Sequence, residues 1–155
     1  MNHPAELALH QYLRNAIDGK SEMSQDIIDK IKEDIGEALD KQFNTSNDKQ
    51  EFKLRMSNIG RPKCQLWFEK NDPNHQEPLP TSFKVNMIFG DMVEALLKGL
   101  LRASGVQFGD NEKVSLPLNE KEELSGEYDM LLDDKIDDVK SASAWSYENK
   151  FVDFY

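Results

Sequence analysis

The sequence has a single cysteine, Cys64, among its 155 residues. One thiol excludes an internal disulfide, and it excludes a zinc or iron–sulfur site built from four cysteines of one chain. Long apolar runs are also lacking, since no stretch approaches the roughly 20 residues that a membrane-spanning helix needs. The N-terminal residues lack the basic and apolar regions of a signal peptide. These absences predict a cytoplasmic protein with no iron–sulfur cluster and no membrane partner.

The residues that are present describe one domain with a polar surface. Of the chain, 38% is hydrophobic and 31% charged, and its length allows a hydrophobic core. The formal net charge of −10 is uneven: residues 1–52 carry six basic and eleven acidic groups, residues 53–108 eight and five, and residues 109–155 five and thirteen. The basic middle segment suits a polyanionic partner, whereas the acidic end needs solvent or bound cations.

An amphipathic helix is predicted near the N-terminus. Ser24 can cap it, and its apolar residues recur at helical spacing from Ile27 to Phe43, with Asp and Lys on the other side. A polar connection follows, so residues 1–50 are predicted to form a separate N-terminal helical cap.

A second and stronger helical pattern covers Phe83–Ser104, and Gly105 is suited to end that helix in a left-handed conformation. Glu94 lies at the margin of its apolar stripe. Two interpretations of Glu94 stay open. It is either an exposed partner of Lys98 in an i to i+4 pair, or a carboxylate directed along the edge of the core.

A cluster of basic residues surrounds the start of a short helix in the middle segment. The helix is predicted to have Pro62 in its first turn. The basic residues near its start are Lys53, Arg55, Arg61 and Lys63. Because N–H groups at a helix start favour anions, a phosphate contact is one interpretation. A solvated basic face without a ligand is the other.

Three strand-like stretches follow the long helix. They are Lys113–Leu118, Glu122–Leu132 and Lys135–Ser143, and the residues after them are typical of another helix. A long helix, a short-looped antiparallel meander and a further helix predict an α/β fold with helices packed on a mixed sheet.

The last two stretches contain an acidic segment, GEYDMLLDDKIDDVKSAS, over Gly126–Ser143. A two-residue hairpin loop at Asp133 and Asp134 would pair Leu132 with Lys135, Leu131 with Ile136, Met130 with Asp137, and Asp129 with Asp138. In this hairpin the two loop residues and Asp137 are predicted to be turn or solvent-facing residues. Lys140 stands on the same face as Asp138 because strand side chains alternate.

Asp129 and Asp138 are thus predicted to face each other, with Cβ atoms roughly 5 Å apart. Directly opposed like charges destabilise a sheet, so this pair favours a bound cation or a shifted pKa. Mg²⁺ is usually held by one or two carboxylates together with water and phosphate. Lys140 beside the pair can orient a water on such an ion and offset negative charge that develops during reaction.

The acidic segment resembles the core of the PD-(D/E)XK nuclease superfamily, in particular its RecB-like and λ-exonuclease-like branch. The matching residues are Gly126, Asp129, Asp138, Lys140 and Ser141. Upstream, FGDMVEALLKGLLRASG resembles the branch's helix with a metal-binding Glu, here Glu94, and SNIGRPKCQLWFEKN resembles its N-terminal segment near DNA. The resemblance covers roughly residues 55–150, with the three motifs in order.

The resemblance implies a restriction-endonuclease-like core over residues 51–155, in which helices flank a central mixed β-sheet, preceded by the helical extension. It implies a DNA nuclease that uses Mg²⁺ or Mn²⁺, expected to be an exonuclease of phage or bacterial DNA recombination, repair or replication. The expected compartment is the cytoplasm, and for a phage-encoded protein it is the cytoplasm of the host. The implied catalytic residues are Asp129, Asp138 and Lys140. The implied metal ligands are Glu94, Asp129, Asp138 and the Val139 carbonyl, and the implied DNA contacts are Arg61, Lys63 and Ser141.

One departure from the branch concerns the end of the core. The branch usually continues with a helix bearing Gln-x-x-x-Tyr, but no Gln follows Gln107 here. The C-terminal part of the core is therefore expected to be incomplete, and three explanations stay open: a fragment, a lost element, or completion by another copy or a second chain. The alternative function, favoured by the acidic final segment, is a non-catalytic nuclease-fold protein or an acidic DNA mimic.

Overall fold

The computed structural model describes residues 3–44, 52–72, 80–120 and 122–139. Within these residues the helices are α1 (Pro4–Ile17), α2 (Gln25–Phe43), α3 (Lys63–Asn71) and α4 (Thr81–Ala103). The strands are β1 (Glu112–Pro117), β2 (Glu123–Tyr128), β3 (Met130–Leu132) and β4 (Lys135–Asp137), and a 3₁₀ turn covers Met56–Asn58. The protein therefore belongs to the α/β class, as the sequence predicts.

The chain divides into two compact units, each assembled from separate segments. The first comprises Met1–Gln42, Val85–Gln107 and Val139–Tyr155, and the second comprises Phe43–Lys84 and Phe108–Asp138. The predicted division at residue 50 stays a prediction. None of the described helices combines the length and the hydropathy of a membrane span.

In the first unit, helix α2 begins where the sequence predicts. The Ser24 hydroxyl accepts a hydrogen bond from the Ile27 N–H at 3.4 Å, which satisfies one of the unpaired donors of a helix start. Farther along α2, the Ile31 side chain lies against Gly99 of α4, in the space that a Cβ there would fill. The absence of a side chain at Gly99 thus allows the two helices to approach closely.

The end of α4 also follows the prediction. Gly105 has φ +80, its N–H donates to the Arg102 carbonyl at 3.0 Å, and the Val106 N–H donates to the Leu101 carbonyl at 3.1 Å. A left-handed glycine that ends a helix satisfies carbonyls left unpaired in the last turn. The buried part of α4 lies just before this cap and consists of Ala95, Lys98, Gly99 and Leu101.

The second unit contains the strands, and they differ from the predicted meander. The described strands form two antiparallel pairs, β1 with β2 and β3 with β4. The predicted strand Glu122–Leu132 is interrupted at Asp129, a bend between β2 and β3. Two isolated bridges add to the pairs: a parallel one between Arg55 and Ser125, and an antiparallel one between Gly109 and Leu131. The described sheets are therefore small and antiparallel, and the predicted mixed sheet stays a prediction.

Candidate functional site

The β3–β4 hairpin has the predicted loop and register. Asp133 and Asp134 connect the strands with φ 48 and φ 61, the left-handed pair of conformations that a type I′ turn requires. The observed pairs are Met130 with Asp137, Leu131 with Ile136, and Leu132 with Lys135. Aspartate tolerates the left-handed region better than most residues, which is why this loop forms without glycine.

Asp129 and Asp138 lie directly outside this hairpin. Asp129 is the residue before β3 and is half-buried, and Asp138 is the residue after β4 and is exposed. The ladder ends at the pair of Met130 with Asp137, so the next opposed position is the one predicted for the two carboxylates. Val139 is half-buried. Lys140 and Ser141 lie outside the described residues.

Asp137 differs from the sequence prediction, which had it facing solvent. It is half-buried, and its Oδ2 atom is buried without a hydrogen-bond partner among the described residues. The predicted register could have indicated this burial, because it pairs Asp137 with Met130. Met130 lies on the buried face of the hairpin, while Ile136 is 66% exposed. The hairpin thus directs an acid inward and an aliphatic residue outward, which is costly for an unpaired carboxylate oxygen.

Glu94 forms the i to i+4 pair that was one of its two interpretations. Lys98 Nζ donates to Glu94 Oε1 at 2.6 Å. The Lys98 side chain is only 6% exposed and that of Glu94 is 28% exposed, so the ammonium is nearly removed from water and depends on this carboxylate. Glu94 is therefore ion-paired and half-buried.

The three predicted acidic ligands fall in different units. Glu94 belongs to the first unit, and Asp129 and Asp138 belong to the second. Within the part of the chain that the structure describes, no three His, Cys, Asp or Glu side chains come together in a way that could hold a metal ion. The metal centre accordingly stays a prediction that rests on the sequence motifs and on the hairpin.

The basic residues at the start of α3 lie where the sequence places them. Pro62 is the N-cap residue and Lys63 is the first helical residue, so the helix begins one position later than expected. Arg61 Nη1 contacts Glu69 Oε1 at 3.2 Å. The phosphate contacts predicted for Arg61 and Lys63 remain predictions.

The sequence reasoning missed two exposed aromatic residues on α3. Trp67 is 58% exposed and Phe68 is 56% exposed. Their ring centroids lie 5.1 Å apart, with an angle of 88° between the ring planes. The half-buried residues of α3 are Leu66 and Glu69. They are three positions apart and so share one face of the helix, which leaves the two rings on the solvent side. This helical spacing was the signal in the sequence.

A second charged region of the second unit surrounds the loop between β1 and β2. The Asn119 side chain bonds Glu122 twice, from Nδ2 to Oε2 at 3.1 Å and through Oδ1, which accepts from the Glu122 N–H at 2.9 Å. Lys70 Nζ contacts Glu122 Oε1 at 3.2 Å. The Asn119 hydrogen bond, and after it Lys70, lower the pKa of Glu122 below its ordinary value. These interactions thus favour the ionised form of Glu122.

Comparison of the chain with known proteins identifies no relative. The chain matches no protein-family model, no curated protein and no solved structure. The nuclease resemblance therefore rests on motifs within the chain.

Proposed function

We propose that this chain is a divalent-metal-dependent DNA nuclease with a restriction-endonuclease-like core, which hydrolyses phosphodiester bonds with Mg²⁺ or Mn²⁺. The observation that supports the proposal most is the β3–β4 hairpin, whose loop and register agree with those required to oppose Asp129 and Asp138. Opposed carboxylates destabilise a sheet unless a cation or a proton lies between them. A cation bound at the open end of this hairpin would offset the repulsion between the two carboxylates.

The donor set fits a hard divalent cation. Asp129 and Asp138 would supply carboxylate oxygens, Val139 its carbonyl, and Glu94 would complete the outer part of the site. Oxygen ligands of this kind are those that Mg²⁺ and Mn²⁺ prefer. When bound, the metal supplies Lewis-acid polarisation of the phosphate and a more acidic water.

The other residues of the proposal position the water and the DNA. Lys140 would hold the attacking water with its ammonium and offset charge at the phosphate as it develops. Arg61, Lys63 and Ser141 would contact phosphate oxygens. In the proposed role, the chain acts as an exonuclease of phage or bacterial DNA recombination, repair or replication.

The test is cleavage of linear and circular DNA with Mg²⁺ or Mn²⁺ by the wild type and by Asp138→Asn and Lys140→Met. Removal of the ligand or of the water-positioning group should lower the cleavage rate about a hundredfold or more. Asp134→Asn is the matched control, because Asp134 is an exposed loop residue with φ 61, a conformation that Asn adopts readily. Its cleavage should equal that of the wild type. Equal cleavage in excess chelator would overturn the metal mechanism.

The acidic surface of the second unit favours an alternative, a non-catalytic DNA mimic. The β1 and β2 region carries exposed glutamates at Glu112, Glu120, Glu122, Glu123 and Glu127. Carboxylates spread over a surface can occupy another protein's DNA site. A mimic would neither bind nor cut DNA, and it would displace DNA from a DNA-binding protein with or without Asp138→Asn.

A further inference from the structure

Helix α3 carries an aromatic surface, formed by Trp67 and Phe68, that the catalytic proposal does not use. More than half of each side chain is exposed. Two large aromatic side chains exposed next to each other form a contiguous apolar patch, and such patches can mark binding sites. The two rings meet edge to face, so each keeps at least one face uncovered by the other. Such faces can accept a flat, apolar group.

Cations lie on the same side of the helix. Lys63, Trp67 and Lys70 are spaced at i, i+4 and i+7, so they share one face of α3. With a rise of 1.5 Å per residue, the two lysines lie about 10 Å apart along the helix axis, one on each side of the indole. A ring between two cations suits a ligand with flat groups joined by an anionic backbone.

The local ion pairs leave these cations accessible to such a ligand. Lys70 contacts Glu122 at 3.2 Å, and both side chains are more than half exposed. Exposed pairs of this kind contribute at most about 1 kcal/mol and exchange readily with other anions. The described segment 52–72, which contains both rings, carries five basic residues against two acidic ones, so this segment has a net positive charge.

We infer that Trp67 and Phe68 form a stacking surface for unpaired bases of single-stranded DNA, with Lys63 and Lys70 beside the phosphates. The inference rests on the proposed function for its choice of DNA, and it adds the strandedness of the substrate. Bases within a duplex are covered by their neighbours and cannot stack on a side chain, whereas every unpaired base presents an open face. The surface therefore selects a single-stranded end or gap.

The test uses tryptophan fluorescence in excess chelator, so that it requires neither metal nor cleavage. The chain has two tryptophans, and Trp145→Phe leaves Trp67 as the only one. Titration of this variant with an oligothymidylate should quench the fluorescence. The same length of abasic oligonucleotide, which keeps the phosphates but lacks the bases, should quench it little. Duplex DNA of equal length should also bind more weakly.

Two substitutions locate the effect. Phe68→Ala in the Trp145→Phe background should weaken oligothymidylate binding by about 5- to 100-fold, the usual cost of one lost base stack. Phe89→Ala is the matched control, because Phe89 is 60% exposed but lies on α4. Its affinity should be unchanged. Circular dichroism of each variant tests whether the helices are retained.

Three results would overturn the inference. Abasic and thymidylate oligonucleotides that bind equally would leave only electrostatic attraction, and an unquenched Trp67 would exclude stacking. Self-association of the chain that is lost in Phe68→Ala, without DNA binding, would identify the surface as a contact between copies. Because binding is measured without metal, quenching that persists in an inactive chain would leave the stacking surface standing while the nuclease proposal fails.

Discussion

Glu94 illustrates how one residue can have a structural role and a proposed chemical role together. Its carboxylate is the hydrogen-bond partner of Lys98, an ammonium that is nearly buried on α4. A buried charge without a partner is strongly unfavourable, whereas a carboxylate that water can reach tolerates the loss of its cation. Substitutions at the two positions should therefore have unequal effects on the free energy of unfolding.

We expect Glu94→Ala to destabilise the protein by about 3 kcal/mol and Lys98→Met by about 1 kcal/mol. The first leaves the ammonium buried without its carboxylate, while the second replaces it by an apolar side chain of similar length. Urea unfolding of both variants measures the difference. Equal costs, or a larger cost for Lys98→Met, would contradict this account. Cleavage by Glu94→Ala is consequently informative only at temperatures where that variant remains folded.

Between elements, the approach of α2 to α4 depends on the missing side chain at Gly99. An added methyl group would overlap the Ile31 side chain, although alanine would be the better helix former by about 1 kcal/mol. In a close-packed contact, overlap usually outweighs such a gain. Whether a glycine-to-alanine change on α4 stabilises or destabilises the protein should therefore depend on which atoms lie opposite that position.

We predict that Gly99→Ala destabilises the protein by about 1 to 3 kcal/mol. In the Ile31→Ala background, where room for the methyl group exists, the same change should be neutral or stabilising. Gly90→Ala on the same helix is the control, since a Cβ at that position has no atom within 4 Å, and it should stabilise by about 0.5 to 1 kcal/mol. Denaturant midpoints of the four variants test the coupling. Additive effects of Gly99→Ala and Ile31→Ala would refute it.

The hairpin shows how far local patterns predict pairing. Once a two-residue loop at Asp133 and Asp134 is assumed, the three strand pairs follow from it, because hairpin register depends on residues only a few positions apart. The bend at Asp129, which separates β2 from β3, did not follow. On either side of the bend, the backbone bonds residues that are distant in the sequence. Leu131 bonds Gly109, and the Ser125 N–H donates to the Leu54 carbonyl.

For the whole molecule, the net charge of −10 makes cation binding a question of stability as well as of catalysis. A ligand that binds only the folded state stabilises it by about 2.7 kcal/mol at a hundred times its Kd. For a domain of this size that corresponds to a rise in Tm of roughly 5 to 10 °C. Ions attracted only by the diffuse negative charge would give a smaller rise that salt suppresses.

We expect Mn²⁺ to raise the Tm of the wild type by this amount at moderate ionic strength, and Asp129→Asn to abolish the rise. Asp134→Asn removes the same formal charge from an exposed loop and should keep it. Thermal unfolding by circular dichroism, with and without Mn²⁺, provides the measurement. A rise of the same size in Asp129→Asn would locate the bound ion elsewhere.

Local chemistry determined the features that the amino-acid sequence predicted. The Ser24 cap, the left-handed Gly105 and the hairpin loop each depend on hydrogen bonds or backbone conformations within a few residues. The inward carboxylate of Asp137, the nearly buried ammonium of Lys98 and the exposed rings of Trp67 and Phe68 were decided only by the tertiary structure. Burial depends on which distant segments cover a residue, and helical or strand periodicity specifies a face without specifying what packs against it.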